Sequence, residues 1–122
     1  MTTSSIRNQI RRILPQLVNI RHYIHQHAED GYNEIATAAM IERELSSYGL
    51  AVSRVGKTGV VGLLAGGGGK GKTVALRSDI DALPMIEQTR LPYASGGPCM
   101  HACGHDGHTA ALLGAARIES RR

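Results

Sequence analysis

The chain has 122 residues, of which 42% are hydrophobic and 15 are glycine, and its formal net charge is +4, so a single modest domain is expected. Its core has to be aliphatic, because Phe and Trp are absent and the 4 Tyr are too few to build base-stacking platforms; the mild, scattered charge reads as a solvated surface and argues against nucleic acid. No stretch approaches the roughly 20 apolar residues that span a bilayer, and "MTTSSIRNQIRRILPQ" lacks the apolar run of a secretion signal, which makes cytoplasm the expected compartment and a membrane an unexpected partner.

Ile6, Ile10, Ile13, Leu14, Leu17 and Ile24 recur at helical spacing and predict an amphipathic helix over residues 5–27, kinked or restarted at Pro15. After the turn signal "EDGYN", Ile35, Ala38, Ile41, Leu45 and Tyr48 form a second helical stripe. Asn33 is its expected N-cap and Gly49 its expected C-terminal stop. The period then changes. "LAVSRV", "GVVGLLA" and "TVALRSD" are short, β-branched and bounded by glycine, as strands are.

From Gly107, "GHTAALLGAARI" returns to a helix whose small residues suit close packing on a sheet. Helices and strands in this order predict an α/β fold, with helices packed on the sheet faces.

Residues 66–73, "GGGGKGKT", fit the phosphate-loop pattern letter for letter. That motif needs a strand before it and a helix after it, so that backbone N–H groups converge on the phosphates. The chain continues instead into the alternating segment "TVALRSDID", so the glycines are expected to serve a flexible connection and nucleotide binding is the weak reading.

Asp79 and Asp81 stand two apart at the end of the third expected strand, which puts both carboxylates on one side if the backbone is extended. Such carboxylates lie where ligands bind in α/β folds; for Asp79, capping the turn before Pro84 is an equal alternative. Some twenty residues on comes "CMHACGHDGH". Thiols kept reduced are free to bind metal. Cys103 and His105 flank Gly104, which lets the backbone bend so that both aim at one point. A thiolate and an imidazole suit zinc or another first-row divalent ion far better than calcium or magnesium. Asp81 is placed to orient a ligating imidazole. The rival is a closed structural zinc knuckle of Cys99, Cys103, His105 and His108, which would leave the two aspartates without a role.

Taken together, "ALRSDIDALPM" and "EQTRLPYASGGPCMHACGHDGHTAALLGAA" closely resemble the di-metal aminoacylase and amidohydrolase peptidase family. That family includes hippurate hydrolase, auxin-amino-acid-conjugate hydrolases and N-acetyl-diaminopimelate deacetylase. "IRHYIHQHAEDGYNEIATAAMIERELSSYGL" and "GKTGVVGLLAG" resemble its opening, so the resemblance covers nearly the whole chain. It implies a zinc-peptidase-like three-layer sandwich on a mixed sheet, with residues 1–122 forming the N-terminal part of the catalytic domain and ending after the metal-motif helix. It also implies two divalent ions, zinc or manganese, Cys103 and His105 as metal ligands, and Asp81 as the catalytic aspartate. Asp79, His101, Asp106 and His108 would shape and support the site. The implied substrate is a small N-acyl amino acid, cleaved at its amide; family members are often homodimers through a further domain.

Departures are few. Ala28 stands where the family has proline, Asp30 where it has leucine, and Cys99 where glycine is common. Family members run to roughly three times this length, a two-domain size, and bring a catalytic glutamate, a ligand glutamate and two more histidines from further along. After His108 the only carboxylate is Glu119 and no histidine follows. The expectation is therefore a chain with half of a di-metal centre, binding metal weakly and inactive alone.

Overall fold

A computed structural model describes residues 2–121. Its elements run α1 (Thr3–Gln26), α2 (Ile35–Ser47), β1 (Ala51–Val55), β2 (Gly59–Leu63) and α3 (His105–Glu119). The α/β character is present, with the sheet confined among the described residues to one antiparallel hairpin.

α1 begins where extended Thr2 turns its hydroxyl oxygen to accept the Ser5 N–H at 3.2 Å. It runs unbroken through Pro15, so the expected restart does not occur. Proline forfeits one N–H, and the buried residues Ile13, Ile20 and Ile24 on either side hold the helix on course. In α2 the cap differs from expectation. Asn33 donates its amide to Asp30 instead, and the first-turn N–H groups of Ala36 and Thr37 are taken by the Glu29 carboxylate at 3.1 and 2.7 Å. The end of α2 follows the sequence. Gly49, at φ +87°, closes the helix in the left-handed conformation, and the Leu50 N–H returns to the Leu45 carbonyl.

β1 and β2 pair with Val52 opposite Gly62 and Ser53 opposite Val61. The third expected strand, "TVALRSD", forms no ladder, and Val74 and Leu76 are exposed. Strand propensity is realised only when a neighbour supplies backbone partners, and the described residues offer none there. α3 also departs from expectation: its small residues lie against α1 rather than a sheet. A Cβ at Gly114 would come within 2.7 Å of the Leu17 side chain, so glycine sets how closely the two helices approach. The core joins Ile20 and Ile24 of α1, Met40 and Ile41 of α2, and Ala110 and Leu113 of α3.

A buried ionic clamp ties these helices to the loop beyond residue 83. Asp106, in the first turn of α3, accepts from His25 Nδ1 at 2.8 Å and from Arg21 Nε at 3.1 Å, both on α1. His25 Nε2 donates to Glu87 at 2.9 Å, and Glu87 also accepts the Ser95 N–H and the Thr89 hydroxyl. Burial alone would raise the pKa of either carboxyl. For Glu87, the donors from Thr89, Ser95 and His25 outweigh burial and hold it below the usual carboxylate range. For Asp106, His25, the Gly107 N–H and Arg21 do the same.

Leu113→Ala leaves a cavity between α1 and α3 and is expected to cost about 3 kcal/mol, read from urea unfolding; a loss below about 1 kcal/mol would mean that this helix pair does not carry the core. The clamp predicts acid lability. Because both carboxyls are depressed in the folded state, their stabilisation is complete above the ordinary carboxylate pKa of about 4 and is lost as pH falls through the lower folded values. The Tm should drop below about pH 4, and less steeply in Glu87→Gln; parallel profiles would count against this origin.

Candidate metal centre

The site is built by backbone pairing between three distant segments. The Ala82 N–H donates to the Glu29 carbonyl at 2.8 Å, and Leu83 and Met100 exchange two hydrogen bonds of 2.9 Å. Thr109 on α3 donates its hydroxyl to the Asp79 carbonyl at 3.1 Å. These bonds fix residues 79–83 alongside the start of α3, which Gly104 opens at φ +83° with no side-chain cap. Few residues other than glycine reach that conformation at low cost, and it reverses the chain between Cys103 and His105.

His105, the first residue of α3, carries the central geometry. Its Nδ1 lies 2.9 Å from the Asp81 carbonyl oxygen and 3.0 Å from Asp81 Oδ1. Both are acceptors, so Nδ1 is the donor and holds the ring proton. In the neutral tautomer Nε2 then presents its lone pair, and it faces Asp79 Oδ2 at 3.5 Å. Two electron-rich atoms so placed gain nothing from each other; a proton or a cation lodged against both satisfies them. The other oxygen of Asp79 pairs with Arg77 at 2.6 Å, where the Arg77 side chain is 85% exposed. An exposed pair of this kind is worth about 0–1 kcal/mol and leaves Asp79 readily recruited elsewhere.

The two cysteines have different surroundings: Cys103 is exposed and Cys99 is buried. His108 is exposed, its ring 5.7 Å from that of His105. His101 is buried, and neither ring nitrogen has a hydrogen-bond partner. Burial lowers its pKa; the Asp106 carboxylate opposes that shift, and His25 and His105 add to it. Asp106 is turned away from the surface into the α1 clamp.

The donor chemistry of Cys103, His105 and the two aspartates suits a zinc-type divalent ion. Among the described residues, however, no three His, Cys, Asp or Glu side chains are gathered so as to hold one. The chain fits a metal as a partial donor set, which speaks against the closed four-ligand knuckle. The phosphate-loop reading also loses its context, since residues 74–82, directly after "GGGGKGKT", contain no helix.

The sequence reading missed Arg21, His25 and Glu87. A signal for the first two was available. They lie one turn apart on α1, bordering the buried stripe at Ile20 and Ile24, where polar side chains need a buried partner.

Residues 75–120 match peptidase family M20/M25/M40. The chain is 50% identical over 100 residues to hippurate hydrolase of Campylobacter jejuni, covering 80% of this chain and 26% of that enzyme. It is 42% identical over 123 residues to the N-acyl-L-amino acid amidohydrolase of Geobacillus stearothermophilus, covering 99% of this chain and 33% of the other. Among solved structures, the Bacillus subtilis YXEP protein, a dinuclear metal-binding peptidase of family M20, superposes with a TM-score of 0.87 at 40% identity, covering 92% of this chain and 32% of that one. The chain thus spans about a third of the length of the relatives it matches. By sequence over residues 75–120, and by fold along nearly its whole length, the chain is similar to members of peptidase family M20/M25/M40.

Proposed function

We propose that this chain supplies one wall of a hydrolytic metal centre acting on the amide bond of small N-acyl amino acids. The observation that carries the reading is the seating of His105, whose Nδ1–H is held by Asp81 while Nε2 is left open beside Asp79. Carboxylate–imidazole pairs of this form fix the tautomer and raise the basicity of a metal-ligating histidine. In this reading Cys103 and His105 are the metal ligands and Asp81 is the aspartate that supports catalysis by holding His105 in its ligating form.

Asp79 lies across from Nε2 as a further oxygen donor, and His101 and His108 flank the motif. Metal bound here would polarise the substrate carbonyl and make a water nucleophilic near neutral pH. Zinc and manganese both remain compatible with these donors, since thiolate favours the first and carboxylate tolerates the second. The substrate class comes from the named activities of the relatives, hippurate hydrolase and N-acyl-L-amino acid amidohydrolase. Homodimerisation belongs to the same family reading.

Metal protection of the thiols tests the ligand assignment. Iodoacetamide should alkylate exposed Cys103 faster than buried Cys99 by about tenfold or more, and zinc should slow the Cys103 reaction. Asp81→Asn should weaken that protection, because Asn can keep the ring in place but removes the carboxylate charge. Zinc-independent labelling of Cys103 would remove it from the ligand set. With no third donor gathered beside Cys103 and His105 among the described residues, the chain alone should not hydrolyse N-acetyl or N-benzoyl amino acids above metal-free controls. Metal-dependent turnover by the purified chain would show that its own residues complete the centre.

A further inference from the structure

α3 starts in an unusual way for a helix that presents a functional side chain. Its N-cap is Gly104, at φ +83°, which has no side chain to cap with, and within the first turn it is the Asp106 carboxylate that accepts the Gly107 N–H. Glycine in that position is a swivel. His105 is the next residue, so the direction of its ring is not fixed by α3 itself. Three tethers remain: Asp81 on the ring, which is 42% exposed, the Thr109 hydroxyl on the Asp79 carbonyl, and the clamp on Asp106, whose side chain is 2% exposed.

The buried tether dominates, because its partners are fixed in turn. His25 donates from both ring nitrogens, Nδ1 to Asp106 and Nε2 to Glu87. Both acceptors are carboxylates with several other donors, so each ring nitrogen carries hydrogen. Glu87 is immobilised by the Ser95 N–H and the Thr89 hydroxyl. Tyr93, from the same loop, meets the His25 ring edge-on, stacks on His22 at 3.7 Å and lies under the Arg21 guanidinium. The helix start is therefore held through α1 by groups with no access to the metal ligands.

We propose that His25 is a positioning residue for His105, acting through Asp106 to lock the glycine-started first turn of α3 in the direction that metal binding requires. This rests on the assignment of Cys103 and His105 as ligands. It differs from a general stabilising role, because only the Nδ1 arm of His25 reaches α3. The Nε2 arm serves the loop.

The two arms can be separated. In His25→Asn the side-chain amide nitrogen overlays Nδ1 and keeps the donor to Asp106. In His25→Gln the amide extends to the Nε2 position and keeps the donor to Glu87. Cadmium is titrated into the full chain while the ultraviolet thiolate-to-cadmium charge-transfer band is followed, with urea unfolding measured in parallel. Both variants should lose stability. His25→Gln should also lose about 10- to 100-fold in cadmium affinity, the range expected when the partner that orients a ligand is removed. His25→Asn should stay within about threefold of the parent.

Equal losses in the two variants, or none in His25→Gln, would overturn the proposal. If His25→Gln does not fold, Arg21→Gln decides instead. Its side chain is 40% exposed and it removes the other donor to Asp106, so cadmium affinity should fall severalfold with little change in unfolding. Unchanged affinity there overturns the proposal too. Cys103→Ala separates the two levels of inference. If the parent shows no band, or Cys103→Ala keeps it, the ligand assignment fails and the positioning role fails with it. If Cys103→Ala loses the band and His25→Gln binds as the parent does, only the positioning role fails.

Discussion

The carboxylate of Asp106 is the pivot of this structure. It is 1% exposed as a residue and sits between a helix it begins and a helix it answers to. An unpaired charge at that depth costs several kcal/mol, so the fold stands only if α1 delivers its donors. Arg21 and His25 deliver them, one helical turn apart, and His25 passes the connection on to Glu87. Two side chains of α1 thus hold two carboxylates. The apolar contacts of Ile20, Ile24 and Leu113 bring α1 and α3 together, but they tolerate sliding. The ionic contacts do not, since each needs a particular register.

That register matters because of what lies next door. Gly104 gives the chain the sharp turn that separates Cys103 from His105, and having no side chain it leaves α3 without a capping group at its N-cap position. A site that needs a flexible residue in its loop must find rigidity elsewhere. Here rigidity is drawn from the inner face of α1. Asp81 then only has to fix the rotation and tautomer of one ring, a lighter task suited to a half-exposed carboxylate.

How much of this was legible in the sequence depended on how far apart the partners were. The apolar stripes of α1 and α2, and the stop at Gly49, are local signals and appear where the spacing put them. That Asp79 and Asp81 face one side was likewise suggested by their separation of two, and Asp81 was expected to orient an imidazole; that Asp79 also meets His105 was not. The cap of α2 was not legible, because Glu29 reaches it from outside the usual capping positions and displaces Asn33. The clamp was less so: its bonds join residues 62 to 85 positions apart, and nothing in "IRHYIHQH" names a distant carboxylate. The segment "TVALRSD" shows the opposite failure. Its pattern reads as a strand, yet a strand is a relation between two chains of backbone, and among the described residues Val74 and Leu76 have no second one.

His105 and Cys103 stand differently with respect to a cation. The imidazole is ordered before any metal arrives, with Nδ1 held, Nε2 open and Asp79 opposite at 3.5 Å. The thiol is exposed and sits in a loop ending in glycine. Under the proposed ligand assignment, binding would cost ordering on the cysteine side, whereas the histidine side is already arranged. The approach of Nε2 to Asp79 also raises the free energy of the empty arrangement. Under the proposed ligand assignment, a cation lodged there would relieve that approach. In the same reading selectivity would fall to the softer partner, Cys103, because carboxylate and imidazole accept most first-row divalent ions and thiolate does not.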